Sequence, residues 1–373
     1  LLSMKKDLRS FTQEELKKLL VSGKVQKYRS EQIFQSVHAK HAEKIESITA
    51  IPKELQKEIS EKFCINGLNC VTVSESPKDK TQKFLFETTD EDKKKVKIES
   101  VLIVDEERKT ICISTQAGCN VGCEFCATGK MGLNRNLSAG EIVSQVYEII
   151  KTTEIIPTNI VYMGMGEPFL NYENVLTSLK IFTDKKGLGI SSKRITVSTV
   201  GFENKIKKFA DDIKSDPMLS NVKLALSLHS TDNGFRELLI PTAKANNLKI
   251  IYEELVYFYR TTGNKITYEY IFFEGLNDTA NDENRLIKLS RMVPSNINII
   301  PFHYVDFSVI EPLSSLNEKI YDKIIDSKDN SLSNSNNLYN FVENLKSEKV
   351  TVNLRTSSGL DINAACGQLA VKN

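Results

Sequence analysis

The sequence predicts an α/β fold, a partial (β/α)6 barrel with a helical accessory domain and a β-hairpin extension ahead of it. Three observations predict it. Six short apolar runs suited to parallel strands recur between Thr110 and Pro301, with amphipathic stretches between them. From Cys70 to Val104 apolar and polar residues alternate with period two, which suits a hairpin with one buried face. The first sixty or so residues instead carry helical spacing. The expected boundaries are 1–68 for the accessory domain, 69–108 for the hairpin extension and 109–373 for the barrel with its C-terminal tail.

Taken in order, Thr12 followed by Glu15 forms a capping box at the first helix, and Tyr28 to Phe34 lies in the second. Lys83–Glu87 and Val96–Ile103 form the hairpin arms around a charged turn at Asp90-Glu91-Asp92. The barrel strands are expected at Thr110–Thr115, Asn159–Met163, Arg194–Ser198, Lys223–Ser227, Ile266–Phe272 and Ile297–Pro301. Ser138 and Glu141 make a second capping box ahead of Ile142–Tyr147. Asp326 to Asn337 is polar and nearly featureless, the composition of a surface insertion, and a last strand is expected at Val350–Arg355.

At 373 residues the chain holds one large domain and a smaller one. It has no run of about eighteen apolar residues and no secretory pattern, so the cytoplasm is the expected compartment. Met4, which follows Leu1-Leu2-Ser3, is the expected start of the chain, unless the three residues are a start-site artefact. Seven cysteines, an odd number, suit catalytic or metal roles in a reducing compartment better than a disulfide framework. The net charge of +2 announces no nucleic-acid partner. The basic excess does sit in residues 1–98, which fits either a phosphate-docking module or a solvated lysine-rich surface.

The strongest local signal is Cys119, Cys123 and Cys126, spaced C-x3-C-x2-C among glycines at 118, 122 and 129. Three thiols for four irons leave one iron open to a small molecule. A zinc site would need a fourth ligand, usually from a second pair, and no matching pair is present. Inert core thiols suit a glycine-rich loop poorly. After the second barrel strand, Gly164-Met165-Gly166-Glu167-Pro168 lets backbone approach a ligand beside a carboxylate, though alone it reads equally as a tight turn. Ser198 and Ser227-Leu228-His229 end the next two strands, and His229 alone reads as structural. Cys366 in the tail and Cys112 before the cluster loop look incidental when read singly.

Taken jointly these motifs resemble the RlmN/Cfr family of radical S-adenosylmethionine (SAM) RNA methyltransferases, over nearly the whole chain. The resemblance is carried by Glu99-Ser-Val, Cys112-Ile-Ser-Thr-Gln-Ala-Gly-Cys119, the cluster motif with Ala127-Thr128-Gly129, Gly132 to Leu137, Met163 to Pro168, Ser227-Leu-His229 and Asp361 to Leu369. The helical start with Tyr28-Arg29 is similar to the family's accessory domain. The resemblance implies a 4Fe-4S cluster on Cys119, Cys123 and Cys126, and SAM contacts from Gly166, Glu167, Ser198, Ser227, Leu228 and His229. It further implies Cys366 as methyl carrier, Cys112 as its resolving partner with an attendant disulfide, and Glu99 as proton acceptor. An adenine ring carbon is no nucleophile, so a radical route replaces ordinary methyl displacement.

The implied partners are 23S rRNA, tRNA and a one-electron donor such as flavodoxin or ferredoxin, with no membrane and a monomeric enzyme. Carbon 2 is preferred as the methylated position because the housekeeping type is commoner, while Cfr-type carbon-8 methylation uses the same residues. A non-catalytic zinc and RNA-binding module is the reading from another class, and it leaves Cys366, Cys112 and Glu99 unexplained. One departure stands out. Where the family has an Asn that contacts SAM, this chain reads Ile300-Pro301-Phe302-His303, so His303 is the expected replacement contact.

Overall fold

A strand returned to the same end of a sheet by a helix must lie parallel to its predecessor, and the six alternating units do so. The computed structural model describes residues 5–22, 25–89, 94–302, 336–355 and 357–371. A short β1 (Lys6–Asp7) pairs in parallel with β2 (Phe63–Cys64). Next come β3 (Asn69–Glu75), β4 (Gln82–Thr89), β5 (Lys95–Val104) and β6 (Lys109–Cys112), followed by a separate pair, β7 (Gln116–Gly118) and β8 (Leu133–Asn136). The barrel continues with β9 (Asn159–Tyr162), β10 (Ile195–Thr199), β11 (Lys223–Ser227), β12 (Ile266–Phe272), β13 (Ser295–Pro301) and β14 (Val352–Leu354). The sheet order is β14-β13-β12-β11-β10-β9-β6-β5-β4-β3.

From β6 to β14 every pairing is parallel, which gives the expected partial barrel of six strands and adds the last strand as a seventh. The hairpin arms β4 and β5 are antiparallel and continue the same sheet, with β3 as a third strand at its edge. The Asp90-Glu91-Asp92 turn lies outside the described residues, as do His303, Tyr304 to Ile310 and most of the polar stretch. The end of that stretch differs from expectation, because a helix, Asn336–Ser347, begins inside it. Leu338, Phe341, Val342 and Leu345 recur at i, i+3, i+4 and i+7 and are buried, a stripe that the preceding Ser and Asn residues masked.

The first helices, α1 (Gln13–Ser22), α2 (Lys27–His38) and α3 (Lys53–Lys62), close over their own small core of Leu16, Ile33, Phe34, Val37 and Ile59. A fourth, α4 (Ala127–Lys130), follows the cluster loop, and α5 (Ala139–Thr153) is the helix on which the N-terminal unit docks. Arg9, 1% exposed, donates to Ser144 Oγ at 2.8 Å and Glu148 Oε1 at 3.4 Å and lies 5.6 Å from the Tyr147 ring centre. The Tyr147 hydroxyl bonds His38 Nδ1 at 2.8 Å, and His41 stacks on the same ring. Burial, then the Arg9 charge, lowers the His38 pKa to about 3, so the ring stays neutral at this seam.

Replacing Arg9 by Met should leave the buried Ser144 hydroxyl without its donor and the largely buried Glu148 with only the longer 4.0 Å contact to Lys151, and cost about 3 kcal/mol. Urea unfolding checks the loss, and hydrogen exchange should quicken across residues 6–65 before it quickens in the barrel strands.

Candidate active site at the C-terminal end of the barrel

In parallel sheets side chains converge at the carboxyl ends of strands, and the motifs meet there. The antiparallel β7–β8 pair forms a neck from which the cluster loop hangs. Gly118 has φ +81°, and a Cβ there would stand 1.9 Å from the Gly132 carbonyl oxygen, so only glycine lets the neck close. The Cys119 N–H donates to that same oxygen at 3.0 Å, and the Cys126 N–H donates to the Cys123 carbonyl at 3.1 Å. The sulfurs themselves accept backbone N–H bonds, Cys119 from Val121 and Gly122 and Cys126 from Gly129 and Thr128.

Cys119 and Cys123 are buried against Val121, Ile240, Ile271 and Phe302. Burial pushes Cys119 up to about 12 and Cys123 well above an ordinary thiol, and the charges of the neighbouring cysteines and Glu167 push the same way. The three thiols therefore share one dry pocket that favours their neutral form until a metal centre takes the protons' place. Among the described residues no three His, Cys, Asp or Glu side chains converge closely enough to hold a single ion. A structural zinc closes with four ligands, whereas a 4Fe-4S cluster takes three thiolates on three of its irons. Soft donors, N–H···S bonds and an apolar wall fit the cluster.

Gly166 adopts φ +94°, and a Cβ there would stand 2.5 Å from the Gln116 Cβ. That packing turns the chain so that the Glu167 N–H reaches Gln116 Oε1 at 2.8 Å. The Glu167 carboxylate accepts from the Phe169 N–H at 2.9 Å and the Val200 N–H at 3.0 Å. Burial raises its pKa to about 7 against those bonds. An ammonium beside it would return it to the carboxylate range. Ser198 and Ser227 stand side by side, their hydroxyls 3.3 Å apart.

His229, in the left-handed region at φ 55°, accepts the Ile271 N–H on Nδ1 at 3.2 Å, so its proton sits on Nε2. Its ring meets Phe125 of the cluster loop edge-on, centroids 4.7 Å apart. Leu228 lies between Ser227 and His229 at the end of β11. Its side chain is fully buried in the barrel core, its N–H goes to Glu269 and its carbonyl accepts from Arg236, so it acts as scaffold.

The tail closes the site from above the cluster loop. The Ala127 N–H donates to the Gly367 carbonyl at 2.8 Å, and the Thr128 hydroxyl donates to the Leu369 carbonyl at 2.5 Å. Further back, Ser76 bonds Asp361 and the Gly359 N–H reaches Asp79. Cys366 is exposed as a residue, yet desolvation of its sulfur pushes the thiol up to about 11, with Glu269 and Cys126 adding to the rise and Arg355 opposing it. Cys112 is pushed up to about 12 by burial and then by the charge of Cys366. The methyl-carrier candidate is thus within electrostatic reach of both Cys112 and the cluster loop.

Glu99 is buried on β5, paired with Lys83 at 3.2 Å, and burial raises its pKa despite that cation. The expected disulfide is not formed, since all seven cysteines are free thiols. The fold holds without it.

Three supporting residues escaped the sequence reading. Gln116, inside the Cys112–Cys119 motif, orients Glu167 and was legible only as a motif letter. Arg236, 1% exposed, donates to the carbonyls of Val200, Ser227 and Leu228 and so pins the ends of β10 and β11. Asn277 holds the His229 carbonyl at 2.9 Å. Neither Arg236 nor Asn277 carried any local signal.

Comparison with known proteins agrees with this geometry. The Radical SAM superfamily profile matches residues 113–286, and that of the ribosomal RNA large subunit methyltransferase N-terminal domain matches residues 6–65. A Cytophaga hutchinsonii protein described as a probable dual-specificity RNA methyltransferase RlmN is 38% identical, covering 99% of this chain and 93% of its own length. One of the same description from Thermosipho melanesiensis is 41% identical over 92% of each. The crystal structure of a radical SAM methyltransferase from Sphaerobacter thermophilus superposes with a TM-score of 0.80 at 32% identity, covering 98% of this chain and 99% of that one. With relatives this similar along almost its whole length, and with the cluster pocket in place, the chain belongs to the RlmN family of radical SAM RNA methyltransferases, which work with a 4Fe-4S cluster and SAM.

Proposed function

We propose that this chain methylates carbon 2 of an adenine in 23S rRNA and in tRNA, through a methyl group first placed on Cys366. The observation that carries the reading is the tail clamp, which sets Cys366 within the fields of both Cys112 and Cys126. The dual-specificity description of the relatives supports two RNA substrates. In this reading residues 1–68 dock the RNA, 69–108 contribute Glu99, and 109–373 hold the cofactors, in a cytoplasmic monomer served by a flavodoxin- or ferredoxin-type donor.

When bound, the cluster supplies the electron that cleaves SAM and so allows a hydrogen to be drawn from the Cys366 methyl group. The protein's part is placement. Glu167 meets the amino group of SAM, and Ser198, Ser227 and His229 offer polar contacts at the neighbouring strand ends. Cys366 presents the carbon to the base, and Glu99 takes the proton that the adduct must lose. Cys112, as thiolate, then attacks the Cys366 sulfur: the S–S bond forms as the S–CH2 bond breaks, the electron pair passes to the methylene carbon, which takes up a proton to become the methyl group of the base, and an external thiol reductant restores the two cysteines. His303, the counterpart of the family's Asn in the sequence, lies outside the described residues.

Nucleoside mass spectrometry of rRNA and tRNA, from cells with and without the gene, should show 2-methyladenosine disappearing from both pools; loss of 8-methyladenosine instead would overturn the regiochemistry. Cys112→Ala should trap RNA covalently on the protein in denaturing gels, and Cys366→Ala should give neither product nor adduct. Because Gly118 alone fits the neck, Gly118→Ala should lower bound iron several-fold in anaerobically purified protein, read by iron analysis against the unaltered chain.

A further inference from the structure

The tail that carries Cys366 is fixed at both ends, to β3–β4 residues at Asp361 and Gly359 and to α4 at Gly367 and Leu369. Between these anchors one side chain reaches it from the sheet. Lys83 Nζ stands 3.2 Å from the Asn363 carbonyl oxygen and 3.2 Å from Glu99 Oε1. In the β4–β5 register Lys83 faces Val101, two residues from Glu99, so the two side chains are diagonal neighbours on one face of the sheet. Both are sheltered, with 15% and 6% of their side chains exposed. The other Glu99 oxygen, Oε2, is buried with no hydrogen-bond partner. A buried acceptor without a partner is costly, and here it is the atom left open to receive a proton.

We propose that Lys83 is a positioning residue for proton removal, its ammonium joining the Glu99 carboxylate to the backbone of the tail that carries Cys366. This rests on the proposed role of Glu99 as proton acceptor. Base and methyl carrier come from segments more than two hundred and fifty residues apart, and Lys83 adds a charged link at Asn363, before Cys366, to the Ala370 N–H that Glu99 meets beyond it. Its charge also opposes burial, which favours a protonated, inactive Glu99. The other groups facing Glu99 are the Met165 sulfur after β9 and the Ala370 N–H of the tail, neither charged.

The sign follows from that balance. Without the cation the Glu99 pKa rises, the carboxylate fraction at a given pH falls, and the acidic limb of the rate profile moves to higher pH. An opposite charge this close lowers a carboxyl pKa by about one to three units, so the limb should move up by that amount in Lys83→Met. Lys83→Gln keeps a donor for Asn363 without the charge and should shift likewise, whereas Lys83→Arg should keep the limb near its native place.

The test is the single-turnover rate of methylated RNA release against pH, in reconstituted holoenzyme of all three variants. Intact mass of Cys366 methylation and iron content show that each is folded. Infrared titration of the Glu99 carboxyl, identified by difference against Glu99→Gln, reads the same shift without turnover. A limb and a carboxyl titration unmoved in both Lys83→Met and Lys83→Gln would overturn the inference, and should Lys83→Met not fold, Lys83→Gln alone decides. Full product release by Glu99→Gln would instead sink the base assignment itself, so the two failures are distinguishable.

Discussion

The carboxylate of Glu167 ties the ends of three strands together, and the site takes its shape from that knot. One oxygen accepts the N–H of Phe169 just beyond β9 and the other accepts that of Val200 just beyond β10, while the Glu167 N–H is fixed on Gln116 of β7. A carboxylate this deep is expensive unless hydrogen-bonded, so the two N–H bonds satisfy it and, with the Gln116 bond, lock the loops around it. The cluster loop springs from the same β7, and Ser198 lies two residues before Val200. Displacing Glu167 would therefore move the thiol pocket and the neighbouring polar contacts together.

A second constraint is the long-range closure of the tail. The Thr128–Leu369 hydrogen bond spans 241 residues, and the Ala127–Gly367 bond lies beside it. Each is an ordinary hydrogen bond worth about 1 kcal/mol. Their importance is positional, since they set the Cys366 sulfur in a desolvated place where its charge is felt at Cys112. Burial keeps both thiols protonated and poorly nucleophilic at rest.

Helix α5 joins the remaining parts. Its N-terminal Glu141 closes the capping box with Ser138, binds Arg135 of β8 through both oxygens and accepts the Thr88 hydroxyl from β4. Half a helix further on, Ser144, Tyr147 and Glu148 receive Arg9 and His38 of the N-terminal unit. One amphipathic helix thus connects the barrel, the antiparallel extension and the accessory unit. A small domain with a modest core of its own gains stability from such docking.

The sequence by itself determined the alternation of strands and helices, because burial on both faces of a parallel sheet writes itself as short apolar runs, and the six barrel strands lie where those runs are. It also determined the cluster loop, since three thiols and their glycines are neighbours in the chain. The helix at Asn336 was hidden by its polar flank. Tertiary structure alone decided that Cys366 comes within electrostatic reach of Cys112, that Gln116 and Arg236 brace the site, and that Lys83 stands between Glu99 and the tail. These are contacts between segments far apart in the chain, fixed by sheet register and loop closure, and no local pattern of residues encodes them.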